Sequence, residues 1–151
     1  MRVVEFCNEL LKKINKEEYI MNNRELLKFA EEARKNAYVP YSNFHVGAAL
    51  LTKSGKVYTG CNVECASYGG TNCAERTAIF KAVSEGEKEF EKIAISSDNK
   101  GETYPCGICR QVILEFGRDI KVVVGESEGE NKEISIDELV PYGFTGADLN
   151  K

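Results

Sequence analysis

The sequence predicts an α/β fold, a three-layer α-β-α sandwich around a mixed sheet of about five strands. Two observations predict it. Ser54-Gly55 separates two apolar runs in the manner of a β-hairpin, and beyond that hairpin helix-periodic segments alternate with short β-branched runs. In chain order, residues 3–15 place Val3, Phe6, Cys7, Leu10, Leu11 and Ile14 at helical spacing, with Cys7 in the helix core. A second helix is predicted over 23–36, burying Leu26, Leu27, Ala30 and Ala33, and residues 38–44 form a loop around Pro40. The hairpin strands are 46–52 and 56–62. A helix over 72–85 ends near Gly86, and 92–96 is a buried strand. After Pro105 a short helix runs to about Phe116 and stops at Gly117. Residues 120–125 are apolar and β-branched, hence a strand; 133–136 is a fifth, followed by a helical turn over 137–140. Only the segments before about residue 22 are dispensable to this pattern.

The 151 residues, 42% hydrophobic, suffice for one domain. The expected organisation is a single domain over 1–151, with a helical N-terminal extension over 1–21 and a core over about 22–149. A chain of this size buries about 70% of its unfolded surface and needs no metal merely to fold, so a metal is available for function. Twenty Lys and Arg against 24 Asp and Glu leave a net charge of −4, with no basic stripe, which argues against a nucleic-acid partner. The longest mainly apolar run, 46–51, is far short of the roughly 18 residues of a membrane span. Glu5, Asn8 and Glu9 interrupt the apolar stretch that a secretory signal requires, so a cytoplasmic location is expected. In that reducing compartment the six cysteines, at 7, 61, 65, 73, 106 and 109, point to thiolate or metal chemistry rather than disulfides.

Two clusters carry that chemistry: Cys73-Ala74-Glu75 at one predicted helix start and Pro105-Cys106-Gly107-Ile108-Cys109 at another. Residues 106 and 109 project from neighbouring positions on one helix face and can share an ion. A thiolate from Cys73 makes a third ligand, and three protein ligands leave the fourth tetrahedral position to water. Zn²⁺, one per chain, is the best fit to this sulfur-rich set. Glu75, beside the metal but not bound to it, has the chemistry of a general acid and base. Because helical residues two apart point about 200° away from each other, Cys73 must lie at the helix edge, where the backbone is not yet helical. Three thiolates on Zn²⁺ leave a charge of −1, which two helix N-termini and an arginine on the sulfurs would offset. Arg76 is favoured over Arg110 because it is nearer Cys73.

With these motifs in view, the sequence resembles the zinc-dependent cytidine deaminases of the small, homotetrameric kind, over roughly residues 24–149. The resemblance rests on Cys73-Ala74-Glu75, on Pro105-Cys106-Gly107-Ile108-Cys109-Arg110-Gln111, and on two further segments. These are Tyr41-Ser42-Asn43-Phe44-His45-Val46-Gly47-Ala48 and Asn62-Val63-Glu64-Cys65-Ala66. It implies Cys73, Cys106 and Cys109 as metal ligands and Glu75 as the catalytic residue. It further implies Asn62 and Glu64 on the nucleoside sugar, Phe44 against the pyrimidine, the Ala74 backbone on the base's polar edge, and Tyr68 and Phe144 closing sites between subunits. The implied reaction is hydrolytic deamination of cytidine and 2′-deoxycytidine, as in pyrimidine salvage: a zinc-activated water attacks C4 and ammonia leaves. A small-molecule nucleoside, not a nucleotide, is implied, because a fixed Glu64 carboxylate repels phosphate. The chain departs from the family pattern at Cys65, often Asn, and at Gly70, often bulkier, positions that shape the pocket.

Other readings compete. The three cysteines could be a structural site closed by Cys61, Cys65 or His45, in a zinc-stabilised interaction module without turnover. Glu75 could belong to a capping box starting at Asn72. His45, the only histidine, reads as a loop or strand-edge residue, and Cys61 and Cys65 as buried or pocket-lining. A related deaminase acting on a modified cytosine nucleoside, such as a blasticidin-type antibiotic, is the nearest enzymatic rival.

Overall fold

A computed structural model describes residues 20–149; the helix expected over 3–15, with Cys7, lies outside them. Five strands form one sheet in the order β2-β1-β3-β4-β5, with β1 at Val46–Thr52, β2 at Val57–Cys61, β3 at Phe90–Ser97, β4 at Lys121–Gly125 and β5 at Asn131–Ser135. The β3–β4 pair is parallel and the other pairs are antiparallel, so the sheet is mixed as expected. Gly55 turns the β1–β2 hairpin with φ of 87°, a conformation that suits a residue without Cβ.

Alternation along the strands sends side chains to both faces. Ala48, Leu50, Ile93, Ile95, Val122 and Val124 point to one side, where they pack with Ala78, Ile79, Ile113, Leu114 and Ile136. These partners come from helices that begin at Ala74, Gly107 and Ile136. Ala49, Leu51, Ala94 and Val123 point to the other side and meet Leu26, Leu27 and Ala30 of α1, Asn23–Arg34. The first face carries α2 (Ala74–Ser84), α3 (Gly107–Phe116) and α4 (Ile136–Leu139), which completes the three layers.

Two glycines set how closely the helices approach. A Cβ at Gly47 would lie 2.0 Å from the Ala30 carbonyl oxygen, and one at Gly60 would lie 2.5 Å from both Ala74 O and Ala78 N. Gly60 therefore lets the first turn of α2 rest directly on β2, which fixes where Cys73 and Glu75 stand. The fifth strand begins two residues earlier than the expected start at 133. Its Asn-Lys-Glu lead carries no apolar pattern, and antiparallel pairing with Lys121–Gly125 is what holds it in the sheet.

Candidate active site

Helices α2 and α3 both start on a cysteine. Cys73 and Cys106 are the N-cap residues, with extended backbones (ψ 157° and 167°), and neither side chain caps its own helix. Their carbonyls accept the first helical hydrogen bonds, from Thr77 and Arg110. The break from helical geometry at Cys73 is what lets residues 73 and 75 face one site. Cys109, fully buried in the first turn of α3, completes a cluster whose three sulfurs lie within 4.8 Å of one another. Cys73 and Cys106 Sγ are 3.8 Å apart, the separation that two sulfurs about 2.3 Å from a tetrahedral zinc require. The residues therefore fit a zinc ion held by three thiolates. Among the described residues no fourth Cys, His, Asp or Glu joins this cluster. Cys61 is half-buried and Cys65 is exposed, so of the two expected alternatives, buried or pocket-lining, burial does not hold for Cys65.

The electrostatics favour an anionic sulfur at Cys73. Cys73 accepts hydrogen bonds from Cys109 and from Arg76, whose Nη2 lies 3.5 Å from Cys73 Sγ, and its thiol is held down to about 5. Cys109, the donor of that pair and enclosed by α3, is pushed up. Arg110 turns elsewhere, donating to the carbonyls of Pro105 and Leu139 and so tying α3 to α4. Only 4% of Glu75 is exposed, and burial pushes its carboxyl up to about 7, with the neighbouring Cys73 charge adding to the shift. A divalent cation on the sulfurs acts the other way. The spacing of Asn72 and Glu75 suggests a capping box, but the N-cap is Cys73, and Asn72 donates to Thr77 Oγ1 instead.

A cleft of about 320 Å³ is lined by Tyr41, Ser42, Glu64, Tyr68 and Thr71. Residues 62–64 are held between two chain segments: Val63 exchanges backbone hydrogen bonds with Asn72, while Tyr38 N donates to Asn62 O and Glu64 N to Tyr38 O. This places Val63, next to Glu64 in the chain, one strand-width from Asn72, the residue preceding Cys73. Glu64 accepts from the backbone N–H groups of Tyr41 and Ser42 and from the Ser42 hydroxyl, and the last of these is the main reason its carboxyl sits below the ordinary range. Tyr41 and Tyr68 meet edge to face, with ring centroids 5.8 Å apart.

Of the residues the sequence singled out, the cleft contains Glu64 and Tyr68. Phe44, Asn62, Ala74 and Phe144 do not line it. The Asn62 amide instead binds the backbone on either side of His45, donating to Phe44 O at 2.8 Å and accepting from Val46 N at 2.9 Å. Ala74 is fully buried at the first position of α2. Phe144 is 58% exposed, its carbonyl accepting from Gln111. No motif or spacing pointed to Thr71, whose hydroxyl accepts from Cys65 N and whose carbonyl accepts from Arg76, linking the cleft wall to the sulfur cluster.

The chain matches the model of the cytidine and deoxycytidylate deaminase zinc-binding region over residues 20–126. The chain belongs to this family. It is 53% identical to the cytidine deaminase of Halalkalibacterium halodurans over 131 residues, 86% of this chain and 99% of that one. It is 46% identical to the cytidine deaminase of Sporosarcina psychrophila, covering 86% and 96% of the two chains. Among solved structures, cytidine deaminase from Burkholderia pseudomallei superposes with a TM-score of 0.78 at 48% identity, covering 82% of this chain and all of that one. The enzyme from Mycobacterium tuberculosis gives 0.74 at 36% identity, covering 83% and 98%. Within this deaminase family the cluster of Cys73, Cys106 and Cys109 has the chemistry of the zinc site.

Proposed function

We propose that this protein is a zinc-dependent hydrolase that converts cytidine and 2′-deoxycytidine to uridine and 2′-deoxyuridine with release of ammonia. The observation that carries this reading is the sulfur trio of Cys73, Cys106 and Cys109 at two helix starts, with the buried Glu75 two residues from the first of them. Zinc, when bound there, supplies the Lewis acidity that makes water a nucleophile at neutral pH. Glu75 takes a proton from the attacking water and passes it to N3 of the base. It then moves a second proton from the same oxygen to the amino group on C4, the C–N bond breaks, and a carbonyl remains. Arg76 and the N-termini of α2 and α3 offset the negative charge of the sulfurs, so that they do not overwhelm the metal's acidity.

Glu64 receives the sugar hydroxyls. Its three hydrogen bonds leave acceptor capacity on a carboxylate with about four lone-pair sites, and its charge disfavours a phosphate. Asn62 retains a second N–H for the sugar, Phe44 packs on the pyrimidine, and the Ala74 backbone meets its polar edge. Tyr68, Tyr142 and Phe144 are exposed aromatic side chains that suit an interface, which supports a homotetramer whose neighbours close each site. No helix of the described residues is long and apolar enough to cross a membrane. We place the enzyme in the cytoplasm, as one domain serving pyrimidine salvage.

The test is the ultraviolet absorbance of cytidine with the zinc-loaded protein. A fall matched by equimolar ammonia, and abolished by a chelator, is expected. Full zinc content with no ammonia from cytidine or deoxycytidine would contradict the reading.

A further inference from the structure

In the sheet order β2-β1-β3, the segment 41–46 that leads into β1 runs between the ends of its two neighbours. On the β2 side it is held by Asn62 and Glu64. On the β3 side the holding group is Asp98, just beyond Ser97. One carboxylate oxygen, Oδ2, lies 2.7 Å from His45 N and 2.7 Å from His45 Nδ1, while Asp98 N donates to His45 O. Both side chains are partly exposed, at 36% and 43%, so their charge attraction alone contributes little. What matters is geometry: three hydrogen bonds, two to its backbone and one to its ring, tie residue 45 to a residue 53 positions away. The bonds from the His45 backbone, and then from its ring, draw the Asp98 carboxyl below the ordinary range.

We propose that His45 is a positioning residue for nucleoside binding, its paired contacts with Asp98 holding the segment that presents Tyr41 and Ser42 to the cleft. This rests on the deaminase reading above. Without the ring contact the segment keeps its Asn62 and Glu64 clamps but gains freedom at its other side. Binding then has to reorder it, which weakens affinity without touching the metal or Glu75.

The test compares the parent with His45→Ala and His45→Asn, the latter offering an amide N–H near the place of Nδ1–H. In His45→Ala, KM for cytidine is expected to rise about three- to tenfold, the effect of one lost hydrogen bond, with kcat held within about twofold. Hydrogen exchange at the amides of residues 44 and 45 should quicken by about tenfold. His45→Asn should return both readouts most of the way to the parent. A fall in kcat at constant KM, unchanged KM and exchange in His45→Ala, or no recovery in His45→Asn would each overturn the proposal. If the parent fails to deaminate cytidine, the functional reading falls. The exchange data then decide the positioning claim alone, quickened exchange in His45→Ala with recovery in His45→Asn supporting it and unchanged exchange refuting it.

Discussion

Helix α1 begins on Asn22, whose side chain accepts from Glu25 N while Glu25 returns a bond to the Asn22 backbone, and α4 begins on Ser135 paired in the same way with Glu138. Helices α2 and α3 begin on Cys73 and Cys106, and neither side chain accepts a capping hydrogen bond. A side-chain cap is worth about 1 kcal/mol, so two helix starts on one face of the sheet forgo stability that the others have. The contrast separates starts that serve the fold from starts that serve chemistry. The uncapped N-termini point partial positive charge at sulfur, which favours thiolate and helps a metal site carry three of them. Weak capping at those two positions is thus part of the site rather than a defect of the fold.

The largest effect should come from giving one site helix an ordinary cap. Cys106→Ser is expected to lose most of its zinc and all detectable turnover. Its metal-free form should nonetheless be at least as stable as the metal-free parent, by on the order of 0.5 kcal/mol, since serine caps well. Metal content and denaturant titration read the two halves of this outcome. A variant that keeps its zinc would break the contrast. Next in size is Glu75→Gln, which removes the carboxylate but keeps its volume. Turnover should fall by about 10²–10⁴ with zinc retained, measured by steady-state kinetics beside metal analysis. Near-normal turnover would remove Glu75 from the reaction. The smallest effect is expected at the other kind of start. Asn22→Ala should cost about 1 kcal/mol, lowering Tm by about 3 °C, with kcat unchanged.

The same contrast bears on what could be read from the sequence. The layered fold was legible because strand alternation and helix periodicity are local: Ala48 and Leu50 against Ala49 and Leu51 already divide β1 between two faces. The placement of Cys73 at a helix edge was also legible, because residues 73 and 75 cannot face one site within a regular helix. Local spacing alone is ambiguous at Asn72 and Glu75, which have the separation of a capping box, whereas the helix starts on Cys73 and Glu75 is buried. The clamp on residues 41–46 left no cue of its own. It joins His45 to Asp98 and Ser42 to Glu64 across 53 and 22 positions, and only strand order brings these residues together. Asn62 shows the limit of motif reading: the residue is where the family pattern puts it, while its amide is engaged with the backbone of Phe44 and Val46.

Zinc-edge X-ray absorption on the purified, zinc-loaded protein addresses the metal centre most directly. Three sulfur neighbours at about 2.3 Å with one lighter atom at about 2.0 Å are predicted, the lighter atom exchanging when a nucleoside analogue is added. Four sulfur neighbours, unchanged by the analogue, would mean a closed structural site and would contradict a deaminase built on Cys73, Cys106, Cys109 and Glu75.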